Sequence, residues 1–194
     1  AAIASESVLS LDLINDTAVS TAYPTVTYQG KSATTDLTVI DGGRLGSVVS
    51  FNSGEGPGSV LQGFTITNGY AVDGGGIHCN AASPTVNANI VYRNEAVLDG
   101  GGIHCNDSGA LITANTFTRN TAGQAGGGMA AAAQSDVLIV NNIIVNNSAG
   151  SIGGGIASVG AACRIINDTL SKNSAGRFGG AVAGYDGATA EIAD

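Results

Sequence analysis

Tryptophan is absent from this chain, and aromatic residues of all kinds make up 5% of its 194 residues. Charged residues make up only 11%, against 30 glycines and an abundance of Ala, Val, Ile and Thr. A chain so poor in charge and so rich in small and β-branched residues is no disordered tail; it fits a core shared along a stack of similar units. Basic residues are scarce: seven Lys plus Arg stand against 15 Asp plus Glu, a net charge of −8. That leaves no basic patch for nucleic acid or an anionic membrane, and excludes both as partners. There is no apolar run of about 18 residues, so no segment reads as a membrane-spanning helix. Three cysteines without a Cys-x-x-Cys pair exclude a disulfide framework and a redox motif. No window carries an apolar stripe at helical spacing for three turns, which excludes a helical domain. An initiator Met and a signal peptide are also lacking.

What the chain does contain is a beat. Glycine triplets at 74–76, 100–102, 126–128 and 153–155 are spaced by 26, 26 and 27 residues, and a reduced copy, Gly179-Gly180-Ala181, follows 26 later. Self-similarity at a fixed period marks a repeat fold. Asparagine keeps the same time: Asn68, Asn94, Asn120, Asn147 and Asn173 each precede the next glycine block by six positions. A third marker, Gly63, Asn89, Asn115, Asn142 and Asp168, sits five before each of these, and an apolar residue (Val91, Phe117, Ile144, Leu170) sits three before. The single extra residue of the longest repeat falls between Gly128 and Asn147. Backwards, the beat reaches Asp41 and, faintly, Asn15. The domain reading is one unit over 1–194: weakly repeating coils over 1–36, regular coils over 37–194, about seven in all, the last one open.

Each coil must be built of short strands. Segments such as Gly76-Ile77-His78-Cys79 and Asn115-Thr116-Phe117-Thr118 are β-rich and bounded by Gly, Asn, Ser or Pro. Coils that cannot bury their faces alone must stack, and in-register parallel stacking at roughly 4.8 Å makes seven of them a rod of roughly 34 Å. The two-residue period of a strand points Ile77 and Cys79 inward and His78 outward. Ile77, Ile103, Met129, Ile156 and Val182 then form one interior row, and Asn68 to Asn173 form an asparagine ladder at a turn, where the amide can bond along the stack and tolerate left-handed backbone. Cys79 and Cys105, one coil apart, read as small buried thiols in an interior row, since parallel neighbours seldom reach disulfide torsion. Cys163 falls on a different face.

The units Thr38-Val39-Ile40-Asp41-Gly42-Gly43 and Gly63-Phe64-Thr65-Ile66-Thr67-Asn68-Gly69, followed by repeated Gly-Gly-Gly-Ile and x-x-Asn, resemble secreted right-handed parallel β-helix repeat proteins of the pectate-lyase-like fold. Gly-Gly-x-Ile with Phe117-Thr118-Arg119-Asn120 is also similar to polymorphic outer-membrane protein repeats of bacterial surfaces. The resemblance covers 37–194 and implies an all-β, right-handed parallel β-helix outside the cell or on its surface. This fold hosts lyases, hydrolases, adhesins and inert spacers alike.

Three outward columns are the places where chemistry could sit. His78 over His104 forms an exposed ladder able to share a metal or supply a base, though more simply two exposed or partly packed histidines. Asp73 over Asp99 stacks two carboxylates that repel unless a proton or a cation, calcium above all, lies between them; ordinary turn chemistry is the plainer account. Arg93, Arg119 and Lys172, with Asn146 in the fourth place, line an outer face where Arg could pair with uronate carboxylates. The resemblance makes a calcium-dependent polysaccharide lyase the alternative function, with Asp73 and Asp99 on calcium and Arg93 and Arg119 as base. The hydrolase motifs of the same fold (Asn-Thr-Asp, Asp-Asp, Gly-His-Gly, Arg-Ile-Lys) do not occur. Because every Asn-to-glycine loop has five residues, and sites usually occupy elaborated loops, the sequence favours a non-catalytic structural module: spacer, adhesin or self-stacking fibre subunit, needing no cofactor. Its partners would be copies of itself stacked end to end, other repeats of a longer chain, or a polysaccharide bound without turnover.

Overall fold

The computed structural model describes Thr25–Val26 and residues 38–194; the expected repeat at Asn15 lies outside the described residues. The chain winds into a parallel β-solenoid of about six turns, with no helix among the described residues and therefore none long and apolar enough to cross a membrane. Each turn contributes one short strand to each of four parallel sheets, as in Ile77–Asn80, Thr85–Asn87, Ile90–Tyr92 and Glu95–Ala96. Residues 103–106 pair in register with 77–80 and with 129–132, which is the 26-residue beat made physical. The extra residue sits in the turn after Ala132: Asn106 pairs with Ala132, but Leu111 pairs with Leu138.

The core is a set of stacked apolar rows. Ile77, Ile103, Met129 and Ile156 are at most 2% exposed and Val182 packs partly buried at the end of the same row. Two further rows, Val86–Ile112–Ile139–Ile165 and Ile66–Val91–Phe117–Ile144, face it from the other sheets. The three thiols are free and buried; Cys79 and Cys105 pair across neighbouring strands while Cys163 enters the core from another sheet. The Cys105 side chain and burial push the Cys79 thiol well up, and burial pushes Cys163 up to about 11, so both are fillers rather than nucleophiles.

The corners explain the polar markers. A residue with left-handed backbone, Arg93, Arg119, Asn146 or Lys172 (φ 54 to 58°), turns the chain, and the asparagine after it points inward. Asn94, Asn120 and Asn147 are at most 1% exposed. The Asn94 backbone N–H and side-chain amide both donate to Oδ1 of Asn120 (3.0 and 3.1 Å), and the same amide donates to the Ile66 carbonyl (2.9 Å). Asn120 treats Asn147 in the same way, and Asn147 treats Asn173. The third marker is a second ladder of the same design: Asn89, Asn115 and Asn142 follow the left-handed Ala88, Ala114 and Asn141 and are bonded coil to coil. Asp168 ends it, accepting from Asn142; its Oδ2 is buried without a partner, and burial raises its carboxyl.

Asn68 differs from expectation. Tyr70 pairs with Glu95, so Gly69, not Asn68, stands below Asn94, and its N–H donates to Asn94 Oδ1 (2.9 Å). Asn68 is exposed, takes the left-handed corner (φ 58°) equivalent to Arg93, and donates to Asp41 (2.9 Å). The constant spacing hid this because a 25-residue turn brings Thr65 onto Ile90. Gly63 shifts likewise, with Phe64 N–H donating to Asn89, and Asp41 pairs with Thr67.

Candidate functional site

The glycine triplet that closes each turn also shapes the outer surface. Gly74 and Gly100 have φ of 62 and 67°, a backbone that L side chains rarely adopt. There the chain folds back so tightly that a Cβ on Gly74 would lie 2.9 Å from the His78 Cβ, and one on Gly100 would lie 2.7 Å from the His104 Cβ. The aspartate before each turn is thereby laid beside the histidine after it. Two columns that look separate in the sequence, five residues apart along the chain, become one cluster.

In this cluster one carboxylate oxygen from Asp73, one from Asp99 and one ring nitrogen of His104 lie within 4.8 Å of one another. His78 stacks on His104 with ring centroids 5.5 Å apart and an interplanar angle of 22°. The expected exposed histidine ladder is corrected by the structure: His104 is 6% exposed and His78 half-buried, because the turns lie over that face of the sheet. The Nδ1 of His104 is buried with no hydrogen-bond partner. The carboxylates are oriented by the solenoid, since Asp73 Oδ1 accepts the Asp99 N–H (3.1 Å) and Asp99 Oδ1 accepts the Ala125 N–H (2.9 Å). This is the turn chemistry expected of an Asp at a loop exit, and it leaves the second oxygen of each available.

Burial sets the electrostatics. It raises the Asp99 carboxyl above its ordinary range, against the pull of the Ala125 N–H, and the Asp73 charge adds to the rise. Burial lowers His78, opposed by Asp73. It lowers His104 to about 4, opposed by Asp73 and reinforced by His78, so the imidazole is neutral at pH 7. At His104 the folded protein therefore binds fewer protons than the unfolded chain between about pH 4 and 6.5, and this residue contributes a stability that rises with pH and is lost on acidification through that window. Lowering the pH from 7 to 5 is expected to cost up to about 2 kcal/mol through His104 alone. The rise of Asp99 acts in the opposite sense, its contribution falling as the pH climbs through its folded value. Urea unfolding of the wild type and His104→Gln at both pH values checks this: the variant should lose less stability on acidification.

The arginine column lies elsewhere. Arg93 and Arg119 are exposed and stack on Tyr92, with guanidinium carbons 4.9 and 5.9 Å from the ring centre, and Arg119 donates to the Tyr92 hydroxyl (3.3 Å). Neither forms an ion pair with Asp73 or Asp99; among the described residues the ion pairs are Arg44–Glu95 (2.8 Å) and Arg164–Asp136 (3.8 Å). Further along the same face, where the two columns continue as Ala125, Ile152, Phe178 and as Ala130, Ala157, Ala183, a shallow groove of about 280 Å³ opens between Ile152, Phe178, Val159 and Tyr185, with Asp99 and Arg177 at its rim.

The Asp–His cluster had a sequence signal that single-column reading passes over. The string Asp-Gly-Gly-Gly-Ile-His occurs at 73–78 and again at 99–104, and both polar positions are lost together in every later coil. Joint presence and joint loss is what a shared site leaves in a repeat.

No curated protein and no solved structure gives a significant match to the chain. A family model described as a right-handed β-helix region matches residues 26–193. With four parallel sheets wound coil on coil, inward apolar rows and ladders at the corners, the chain belongs to the right-handed β-helix family.

Proposed function

We propose that this chain is a non-catalytic structural module, secreted or displayed at a cell surface, in which the β-helix acts as a stiff spacer or adhesin stalk and joins end to end with further coils. The observation that supports this reading is regularity. From Asn94 to Asn173 the same short turns, corners and hydrogen-bonded asparagines recur in each coil, which makes a continuous rod rather than a frame for long binding loops. Each coil pairs with the next in the same register, so a second copy or other repeats of a longer chain would extend the stack by the same pairing.

Electron microscopy and light scattering of the native material test this. The expected result is filaments with an axial repeat near the ~29 Å of six coils, and no cleavage of polyuronate with calcium present. Monodisperse monomers would remove the stacking. Calcium-dependent cleavage lost in Asp99→Asn would replace the whole reading with the lyase. The Tyr92–Arg93–Arg119 face favours a second reading, polysaccharide held without turnover, since planar guanidinium groups and an aromatic ring suit acidic sugars; retention on immobilised polyuronate, weakened by Arg119→Ala, would support it.

A further inference from the structure

The geometry points to a binding site for a divalent transition-metal ion of the zinc class, formed by Asp73, Asp99 and His104 and bridging two neighbouring coils. Three observations converge on it. One oxygen of each carboxylate and one ring nitrogen of His104 already lie within 4.8 Å of one another. Ligands about 2.1 Å from a tetrahedral ion stand about 3.4 Å apart, so closure needs a movement of about 1.4 Å at most, within reach of two half-buried carboxylates. Second, His104 is 6% exposed and its Nδ1 has no partner, a buried polar atom that nothing in the protein satisfies. Third, each carboxylate is held by a backbone N–H of the following coil, and such outer contacts orient metal ligands.

The donor set decides the metal. Calcium, the ion suggested by the aspartates alone, takes six to eight oxygens. Two carboxylates and an imidazole are few for calcium and are the mixed oxygen and nitrogen set that zinc, cobalt and their neighbours accept, with a fourth position left for water or an incoming oxygen ligand. His78, stacked on His104, walls the site on the side of the earlier coil. Beyond Asp99 the column turns to Ala125 and the histidine column to Ala130, so only these two coils can hold the ion.

The test uses the full chain without a histidine tag, titrated with cobalt(II) or zinc(II) alone. Cobalt(II) should give visible d–d absorption saturating at one ion per chain, displaced by zinc. Zinc at a hundredfold excess over Kd should raise the melting temperature by roughly 5–10 °C, because it joins two coils of the folded state only. His104→Gln and Asp99→Asn should each weaken binding roughly ten- to hundredfold. The milder Asp73→Asn serves if either variant unfolds, and His78→Ala should retain the one-to-one spectrum. Absence of saturable absorption in the wild type, equal affinity in the wild type and His104→Gln, or calcium binding as tightly as zinc would each overturn the proposal.

Discussion

Gly101→Ala is expected to lower stability by ~3–5 kcal/mol, enough to unfold most of the chain at 37 °C. Gly101 is the middle glycine of its triplet, and its backbone lies against the corner strand of the next coil. A Cβ there would stand 2.4 Å from the Thr121 carbonyl oxygen, 2.5 Å from the carbon that bears it, and 2.6 Å from the Gly127 oxygen. All three are backbone atoms, so no side chain can rotate away. The coils cannot part either, because hydrogen bonds of 2.9 to 3.1 Å from Gly100 and Gly101 to Ala125 and Gly126 fix their spacing. The same collision would occur at Gly75 and Gly127, which is why the glycine returns with every coil. Gly56→Ala is the control, since nothing lies within 4 Å of its Cβ and its φ is not positive; it should stay within about 0.5 kcal/mol of wild type. Urea denaturation followed by circular dichroism reads both. A Gly101→Ala midpoint equal to that of Gly56→Ala would mean that the coils can spread where the hydrogen bonds say they cannot.

Asn120→Ala is expected to cost about 3–6 kcal/mol, more than a cavity of that size would. Asn120 is wholly buried in the middle of its ladder. Its Oδ1 accepts the Asn94 N–H and side-chain amide, and its own amide serves the Val91 carbonyl (2.9 Å) and Asn147 Oδ1 (3.1 Å). Truncation strands the Asn94 N–H and the Val91 carbonyl of one neighbouring coil and takes a donor from Asn147 of the other, each in a place that water does not reach. Asn68→Ala is the matched comparison. Asn68 carries the same residue type at the same spacing but lies exposed outside the ladder, so its loss should cost less than about 1 kcal/mol. Similar costs for the two would contradict the ladder register. Hydrogen exchange of the Asn94 amide gives a local reading of the same effect, with protection expected to fall sharply in Asn120→Ala alone.

Much of this was legible from spacing. The recurrence of glycine, asparagine and an apolar row is a direct image of coils stacked in register, because equivalent residues in adjacent coils meet the same neighbours. It placed the interior row from Ile77 to Val182, the inward cysteines and the extra residue after Gly128. It misplaced Asn68 and Gly63 by one, since a coil can be a residue short while a residue of the right type keeps the apparent beat. It named the markers from Asn89 to Asp168 without their role as a second ladder, which only the inward turn after a left-handed corner reveals.

The sequence by itself determined the class of object: an acidic, glycine-rich β-solenoid whose stacking is written in its period, because a repeat that cannot bury its own face has only its neighbours to bury it against. Tertiary structure alone decided what the outward columns do. Strand alternation says that His104 points out of the core, but not that the turn at Gly100 folds back over it, buries it and sets it against Asp73 and Asp99. It likewise sets Arg93 and Arg119 at a corner where they stack on Tyr92. Inside and outside are local properties that two residues of pattern can express. Which outward groups meet depends on the path of the turns, and that path is set by contacts between coils rather than within one.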